Sequence, residues 1–333
     1  MIITRRSFVT GAISCAATPA FAMIDATRTT LRIKPDHEQM ITVPGGRVYV
    51  RINGNVNGVR PPIVFIHGGP GSSHWYFLNA TSLADERAVI LYDQLDSGRS
   101  DHPGNPANWT VPRFVSELET MRAALGIKRW HVLGASWGAT VGLEYAVRYP
   151  RVLASIILQS PLISTPVWLR DARLLKDEMP PNERQLLYAC DTPGAASKAQ
   201  CDAATDAFYA RYVHRADPPP AIAAYKASLP RSFSIDVYEH MWGRAEFTAT
   251  GTLKNYDGTP LLKCLDGRRT LFVAGEFDEA IPSTVEGFAR SVPHASFRQI
   301  QGAAHTVMND NPAAYLSVLR PWLDEHDRRS VLG

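Results

Sequence analysis

The sequence has little excess charge, few cysteines and no repetitive segment. Its 35 lysines and arginines nearly balance 32 aspartates and glutamates, giving a net charge of +3 without a long basic run. Because nucleic-acid-binding proteins concentrate positive charge, the composition gives no case for nucleic acid as a partner. The chain also lacks an internal period and a low-complexity tract, and 45% of its residues are hydrophobic. These features exclude a repeat or disordered protein and allow a large α/β domain with an insertion.

The four cysteines do not form a metal-binding framework. None has neighbours with metal-ligand spacing, so we expect no metal. Cys15 falls in the N-terminal segment described next. Cys190 and Cys201 would close a short loop in an oxidising compartment, but a disulfide and two free thiols fit the sequence equally well. We expect Cys264 to be buried rather than reactive.

The first 22 residues are interpreted as an export signal rather than as part of the fold. Residues 4–9 read Thr-Arg-Arg-Ser-Phe-Val, a twin-arginine pattern, and a short apolar stretch follows them. Residues 20–22 read Ala-Phe-Ala and offer small side chains for cleavage. The apolar stretch is too short for a permanent bilayer anchor. The segment therefore predicts export to a bacterial periplasm or beyond, with a coincidental arginine pair as the alternative.

Residues 130–138 are the stretch around which the chain is organised. They form an apolar run that ends in Gly-Ala-Ser-Trp-Gly, and a helix-like segment follows directly. A strand, a sharp turn and a helix are the context in which Gly-x-Ser-x-Gly forms a nucleophile elbow. The glycines leave room for a strained turn at Ser136, and the helix N-terminus favours a developing negative charge. Taken alone, the motif has a chance match as its alternative.

Buried strands and helices alternate on both sides of this elbow. Continuous apolar runs, typical of strands buried on both faces, lie at residues 63–66, 88–92, 130–133, 154–158 and 270–274. A predicted hairpin at residues 40–50 precedes them, and a last strand at 296–300 follows them. This alternation predicts a mostly parallel, doubly wound sheet whose active site lies at the carboxyl ends of the strands.

Between residues 161 and 255 the strand pattern gives way to helical, aromatic and proline-bearing segments. We interpret this region as a helical lid inserted into the sheet domain, which then consists of residues 23–160 and 256–333. A continuation of the core with irregular helices is the alternative. A lid above the strand ends would exclude water and shape a substrate pocket.

Three side chains complete the constellation expected at the strand ends. Asp278 and His305 each follow a late strand, and with Ser136 they occur in the chain order Ser, Asp, His. A serine hydroxyl becomes a strong nucleophile when a neutral imidazole accepts its proton, and a carboxylate fixes the tautomer of that imidazole. Two backbone N–H groups are needed for the oxyanion, and we assign them to Trp137 and to Gly69 in a glycine-rich loop.

With these residues the sequence resembles the proline iminopeptidase branch of the α/β-hydrolase superfamily, which also contains tricorn-interacting aminopeptidases and bacterial L-amino acid amidases. The resemblance covers nearly the whole mature chain. Its most specific motif is His-Gly-Gly-Pro-Gly, and the matching segments are residues 67–71, 93–100, 134–138, 246–253 and 302–305. The resemblance implies an α/β-hydrolase fold, no cofactor, and an acyl-enzyme on Ser136 from which water releases a free amino acid.

The resemblance also implies acidic residues that bind the free α-amine of a short peptide or an amino acid amide. The matching residues are Glu246 in the predicted lid and Glu279 directly after Asp278. This assignment agrees with physical chemistry, because a protonated amine in a water-poor pocket needs a paired carboxylate. A surface charge on the lid is the alternative for Glu246, and a solvent-facing side chain is the alternative for Glu279.

One departure from the family leaves the substrate open. Residues 95–98 read Leu-Asp-Ser-Gly where iminopeptidases usually have Arg-Gly-x-Gly. Strict specificity for proline therefore does not follow, and a broader aminopeptidase or an L-amino acid amidase fits as well. An esterase or lactonase with the same triad is the rival among enzymes, although it leaves Glu246 and Glu279 without a role. A binding protein on this scaffold would normally lack a triad residue, and none is missing.

Overall fold

The computed structural model describes residues 30–192 and 194–331, with side chains up to residue 327. The predicted export signal at residues 1–22, including Cys15, lies outside the described residues. The strands, in chain order, are β1 (His37–Val43), β2 (Gly46–Asn53), β3 (Ile63–Ile66), β4 (Val89–Tyr92), β5 (Trp130–Ala135), β6 (Leu153–Gln159), β7 (Thr270–Gly275) and β8 (Ser296–Ile300).

These eight strands form one sheet in the order β1-β2-β4-β3-β5-β6-β7-β8. The hairpin β1–β2 and the pair β2–β4 are antiparallel, and every other pair in the sheet is parallel. The predicted mostly parallel α/β sheet is thereby confirmed. The parallel strands carry their carboxyl ends to one edge, where the elbow, the glycine loop and the loop after β7 meet.

Helices cover both faces of the sheet and fill the insertion. In chain order they are α1 (Val111–Ala124), α2 (Trp137–Arg148), α3 (Thr165–Asp177), α4 (Pro181–Ala189), α5 (Lys198–Tyr212), α6 (Pro220–Ala227), α7 (Ile235–Met241), α8 (Pro282–Arg290), α9 (Val307–Asp310) and α10 (Pro312–Val331). Two longer 3₁₀ segments, His74–Asp85 and Thr259–Cys264, complete the described elements.

Strands β3 to β7 are mostly apolar because each of them is buried on both faces, whereas the edge strands β1 and β8 are partly exposed. In β3, Val64 and Ile66 belong to an apolar cluster that also contains residues of α1, α2 and α8, whereas Ile63 and Phe65 belong to a second cluster with residues of α10 and the segment His74–Asp85. Successive strand side chains point to opposite faces, so a strand between two helical layers needs an apolar residue at every position. The continuous apolar runs in the sequence follow from this layering.

The region interpreted as a lid contains helices α3 to α7, all of which lie between β6 and β7. It has a small apolar core of its own, in which Phe208, Tyr212 and Phe247 pack with residues of α3 and α4. The sequence pattern predicts helices at residues 167–176, 182–188, 196–213 and 220–227, and these match α3 to α6, the last of them residue for residue. The short helix α7 was not expected, because seven residues cover less than two full periods of a helical pattern.

The cysteines behave differently from one another. Cys190 at the end of α4 and Cys201 in α5 form a disulfide, with their Cα atoms 5.7 Å apart. The expectation that Cys264 is buried is wrong, since its side chain is exposed. It ends a short 3₁₀ segment in which Leu262 alone turns toward the core, so the apolar residues around Cys264 do not cover it.

Among the described residues, no helix is both long and apolar enough to cross a bilayer.

Candidate active site

The turn between β5 and α2 has the strained form of a nucleophile elbow. Ser136 adopts φ 56° and ψ −123°, a conformation that is costly for a residue with a side chain. A Cβ on Gly134 would lie 2.1 Å from the carbonyl oxygen of Gly138, and a Cβ on Gly138 would lie 2.1 Å from that of Ile66. Both glycines are therefore required by the close approach of β3, β5 and α2.

The structure brings the three predicted triad residues to this edge of the sheet. The Nδ1 nitrogen of His305 donates a hydrogen bond of 2.8 Å to Oδ1 of Asp278, which is buried. Ser136 and His305 both line a cavity of about 140 Å³ at the carboxyl ends of the strands. The ring of Trp168, from α3, stands edge-on to the imidazole with 5.6 Å between the ring centroids. A hydroxyl and an imidazole thus line one small cavity, and the carboxylate is bonded to the imidazole.

Opposing effects act on the pKa of His305. Burial alone would lower this pKa, but the negative charges of Asp278 and Glu246 and the hydrogen bond to Asp278 raise it above its ordinary value. A serine nucleophile needs the neutral imidazole as its proton acceptor. Since a higher pKa keeps the imidazole protonated up to a higher pH, activity is lost as pH falls through this raised pKa.

This pKa shift gives a pH prediction that is measurable with an uncharged ester substrate. We expect the acid limb of kcat/KM to have its midpoint above about 6.5, the ordinary value for histidine. An N-acetylated or amine-free ester isolates His305, because the protonation of a substrate amine then plays no part. Stopped assays between pH 5 and 9, at constant ionic strength, give the profile. A midpoint at or below pH 6 would contradict the assignment of His305 as the general base.

The two residues assigned to the oxyanion lie at the same cavity or at its edge. Trp137 is the first residue of α2, so its N–H has no acceptor within the helix. Gly68 and Gly69 line the cavity, and Gly69 has φ +109°, where an added Cβ would come within 2.7 Å of a backbone nitrogen. The N–H of Gly68 donates to the hydroxyl of Tyr76. Because that donor is already engaged, the geometry favours Gly69 as the second oxyanion donor.

His67 braces the glycine loop. Its Nδ1–H donates to the carbonyl of Gly68 at 3.0 Å, and its Nε2 accepts the backbone N–H of Gln94 at 3.0 Å. Burial lowers the pKa of His67 to about 4, so the ring is neutral at physiological pH. The side-chain oxygen of Gln94 in turn accepts the indole N–H of Trp137 at 2.9 Å. The glycine loop, the loop after β4 and the start of α2 are tied together by these bonds.

Glu279 and Glu246 approach the catalytic histidine from two different elements. The Oε1 oxygen of Glu279 lies 3.8 Å from Nδ1 of His305, and it has no hydrogen-bond partner among the described residues. Glu246 lines the catalytic cavity from the lid. Its carbonyl accepts the indole N–H of Trp168 at 2.9 Å, and its own N–H donates to the hydroxyl of Tyr209 at 3.2 Å. Glu279 is 3% exposed, which rules out the solvent-facing alternative.

The negative charges of the two glutamates are unfavourable in this position. Burial raises the pKa of Glu246, although the nearby His305 charge and the Tyr238 hydroxyl act in the opposite direction. Burial, together with the negative charges of Glu246 and Asp278, raises the pKa of Glu279 well above its ordinary value. A cation between them would remove this cost, because an opposite charge favours ionised carboxylates.

Several polar residues behind the triad have no motif in the sequence. Gln159 ends β6 and Ser160 follows it directly, as Ser136 follows β5. Their side chains lie beside His305 and Asp278. Their place at the end of a central strand is the one sequence signal that could have identified them. Of the residues that the structure describes, no set of three or more His, Cys, Asp or Glu side chains is arranged to hold a metal ion.

Comparison with known protein families identifies the structural class to which this chain belongs. A family model described as the α/β-hydrolase fold matches residues 61–312, which is most of the chain. The sheet order, the elbow and this match define an α/β-hydrolase, and the class predicted from the motifs is confirmed.

The similar proteins narrow the family further. Proline iminopeptidase from Heyndrickxia coagulans is 36% identical over 287 residues, which cover 86% of this chain and 98% of that protein. The enzyme of the same name from Levilactobacillus brevis is 31% identical over 84% of this chain and 94% of its own length. The crystal structure of proline iminopeptidase from Mycobacterium smegmatis superposes with a TM-score of 0.79, at 32% identity, over 88% of this chain and all of that one. The chain therefore belongs to the proline iminopeptidase branch of the α/β-hydrolases, and it is a hydrolase.

Proposed function

We propose that the protein is a serine aminopeptidase that releases the N-terminal residue of short peptides or amino acid amides. The observation that carries this proposal is a pair of carboxylates beside the histidine–aspartate pair. Glu279 is buried and lies 3.8 Å from Nδ1 of His305, and the half-buried Glu246 lines the cavity that Ser136 and His305 share. The names of the similar proteins support it. Proline is one residue that fits the proposal, and other small or apolar residues fit as well.

The proposed reaction proceeds through an acyl-enzyme. His305 accepts the proton of the Ser136 hydroxyl while Oγ attacks the carbonyl carbon, and the oxyanion is held by the N–H groups of Trp137 and Gly69. The imidazolium then donates this proton to the leaving nitrogen, and the C–N bond breaks. A water molecule, deprotonated by His305, attacks the ester, and Ser136 regains its proton as the free amino acid leaves. Asp278 holds the tautomer of His305 throughout.

The positions of the carboxylates agree with an exopeptidase. In a substrate with a free N-terminus, the ammonium group is one carbon away from the carbonyl carbon that the serine attacks. A group that binds this ammonium must therefore lie next to the triad, as Glu279 does at 3.8 Å from His305 Nδ1. An uncharged acyl group in the same place would leave the buried Glu279 and the half-buried Glu246 without a counter-charge, which is costly. The cavity of about 140 Å³ also suits a single residue better than an extended chain.

A substrate panel tests the proposal directly. It compares prolyl and alanyl arylamides, dipeptides and amino acid amides with their N-acetylated counterparts, and with short p-nitrophenyl esters. We expect kcat/KM to be at least about 100-fold higher for the free amines than for the N-acetylated compounds, as for loss of a buried charge pair. Activity confined to the esters would overturn the proposal. Hydrolysis of amides without dipeptides would instead support an amino acid amidase.

We also propose that the protein is exported through its twin-arginine segment. The disulfide between Cys190 and Cys201 supports an oxidising compartment, because such bonds are rare in reducing cytosol. Replacing both Arg5 and Arg6 with lysine should retain the protein in the cytoplasm, as measured by cell fractionation in a bacterium with an active twin-arginine pathway. Unchanged export of this variant would exclude the proposed signal.

A further inference from the structure

The carboxylate of Asp278 is held by four donors. Its Oδ1 oxygen accepts the His305 Nδ1–H at 2.8 Å and the backbone N–H of Ala280 at 2.9 Å. Its Oδ2 oxygen accepts the backbone N–H of Gly275 at 3.0 Å and the hydroxyl of Ser160 at 2.6 Å. Apart from His305, Ser160 is thus the side chain that fixes the orientation of the carboxylate, and it does so through the oxygen that the histidine does not use.

Ser160 is itself rigidly placed. It follows β6, is fully buried, and adopts φ +45°, which is unusual for a residue with a Cβ. Its N–H donates to the carbonyl of Val273 in β7 at 2.7 Å, so its backbone is tied to the strand that leads to Asp278. Its hydroxyl also lies 3.4 Å from the carbonyl oxygen of His305. A strained backbone that is held by its neighbours often marks a functional position.

A second carboxylate competes for the same histidine nitrogen. Glu279 Oε1 lies 3.8 Å from Nδ1 of His305, only 1 Å farther than Asp278 Oδ1 at 2.8 Å. Within the part of the chain that the structure describes, this oxygen accepts no hydrogen bond. If the carboxylate of Asp278 were free to rotate, Glu279 would be able to take the Nδ1–H and draw the imidazole away from the serine.

We propose that Ser160 is a positioning residue that keeps Asp278, rather than Glu279, as the partner of His305. By holding Oδ2, it presents Oδ1 to the imidazole and leaves the carboxylate of Glu279 unbonded. The histidine then keeps the orientation needed by Ser136. The further consequence, that Glu279 remains available for a substrate ammonium, rests on the proposed function, whereas the positioning role does not.

The test uses Ser160→Ala and Ser160→Gly in the full-length protein, with an amine-free ester as the substrate. We expect kcat to fall about tenfold in both variants while KM changes less than about twofold, because the change acts through the histidine and not through binding. Glycine adopts positive φ without strain, so Ser160→Gly keeps the fold even if alanine destabilises it. Ser155→Ala is the matched control, since the buried hydroxyl of Ser155, in the preceding strand β6, bonds His131 and Trp322 instead. We expect this control to keep its kcat.

Two further measurements separate positioning from a general loss of structure. The downfield proton resonance of His305 Nδ1–H should shift or broaden in both Ser160 variants and stay unchanged in Ser155→Ala. Adding Glu279→Gln to Ser160→Ala should restore part of the lost kcat, so that the two substitutions are not additive. An unchanged kcat and an unchanged resonance in Ser160→Gly would overturn the proposal. Because these assays use an ester without an amine, their result does not depend on whether the enzyme is an aminopeptidase.

Discussion

Ser136→Ala abolishes turnover: we expect kcat to fall by about 10⁴- to 10⁶-fold, as when a serine nucleophile is removed from a triad. The side chain is short and lies at a tightly packed elbow, where the glycines at positions 134 and 138 leave no space for rearrangement. Alanine fits the same space but offers no oxygen to attack the carbonyl carbon. The remaining groups would still bind the substrate, so we expect a KM or Kd close to that of the unchanged protein.

The measurement is a steady-state assay with the best substrate of the panel, together with covalent labelling by an activated phosphonate. The unchanged protein should be labelled at Ser136, and the alanine variant should not. Ser155→Ala again serves as the control, because it removes a buried serine hydroxyl away from the catalytic cavity. If turnover of the Ser136 variant stays within tenfold of the original, the elbow is not the catalytic centre.

The second large effect concerns the recognition of the amine. In Glu246→Gln and Glu279→Gln we expect KM for free-amine substrates to rise by about 30- to 1,000-fold, because removing one member of a buried charge pair costs about 2–4 kcal/mol. N-acetylated substrates and esters should be far less affected, since they have no ammonium to pair. The amide side chain of glutamine keeps nearly the same shape, so the change tests charge rather than packing.

Glu239→Gln is the matched control for these variants. Glu239 lies on α7 in the same lid region, but its side chain is exposed. We expect KM to change by less than about twofold, because an exposed charge contributes little. Equal losses for free and N-acetylated substrates in the Glu246 and Glu279 variants would indicate a structural role for the two glutamates, and the amine-binding assignment would then be wrong.

The sheet could be predicted well from the sequence, because burial on both faces forces a continuous apolar run. The run at 63–66 coincides with β3, and the run at 130–133 lies within β5. The last predicted strand, at 296–300, also matches β8, although β8 is partly exposed and is not apolar throughout. The elbow could be predicted equally well, because its motif contains two glycines that the turn requires. A Cβ at either position would lie less than 3 Å from a backbone oxygen. These features depend on local sterics and periodicity, which a sequence displays directly.

Other features depend on contacts that a sequence does not display. The 3₁₀ segment His74–Asp85 is mostly buried and therefore shows no alternation between a polar and an apolar side. The pairing of Cys190 with Cys201 depends on how closely the end of α4 lies to α5, which the sequence does not show. Ser160 has no motif, because its role arises from β6 and β7 lying side by side. The exposure of Cys264 was mispredicted because the expectation used only the general preference of free cysteines for the interior, whereas this one ends a 3₁₀ segment at the surface.

The two carboxylates proposed to bind the amine belong to separate parts of the chain, since Glu279 follows β7 in the sheet domain and Glu246 lies in the insertion between β6 and β7. The indole of Trp168 links the insertion to the catalytic centre, as it holds the carbonyl of Glu246 and contacts the ring of His305. The proposed amine site would consequently have two parts, one on the sheet domain and one on the insertion. If the amine-binding proposal holds, a change in the inserted segment would alter Glu246 and its half of the pocket, while the residues at the ends of β5, β6 and β7 would keep their places in the sheet.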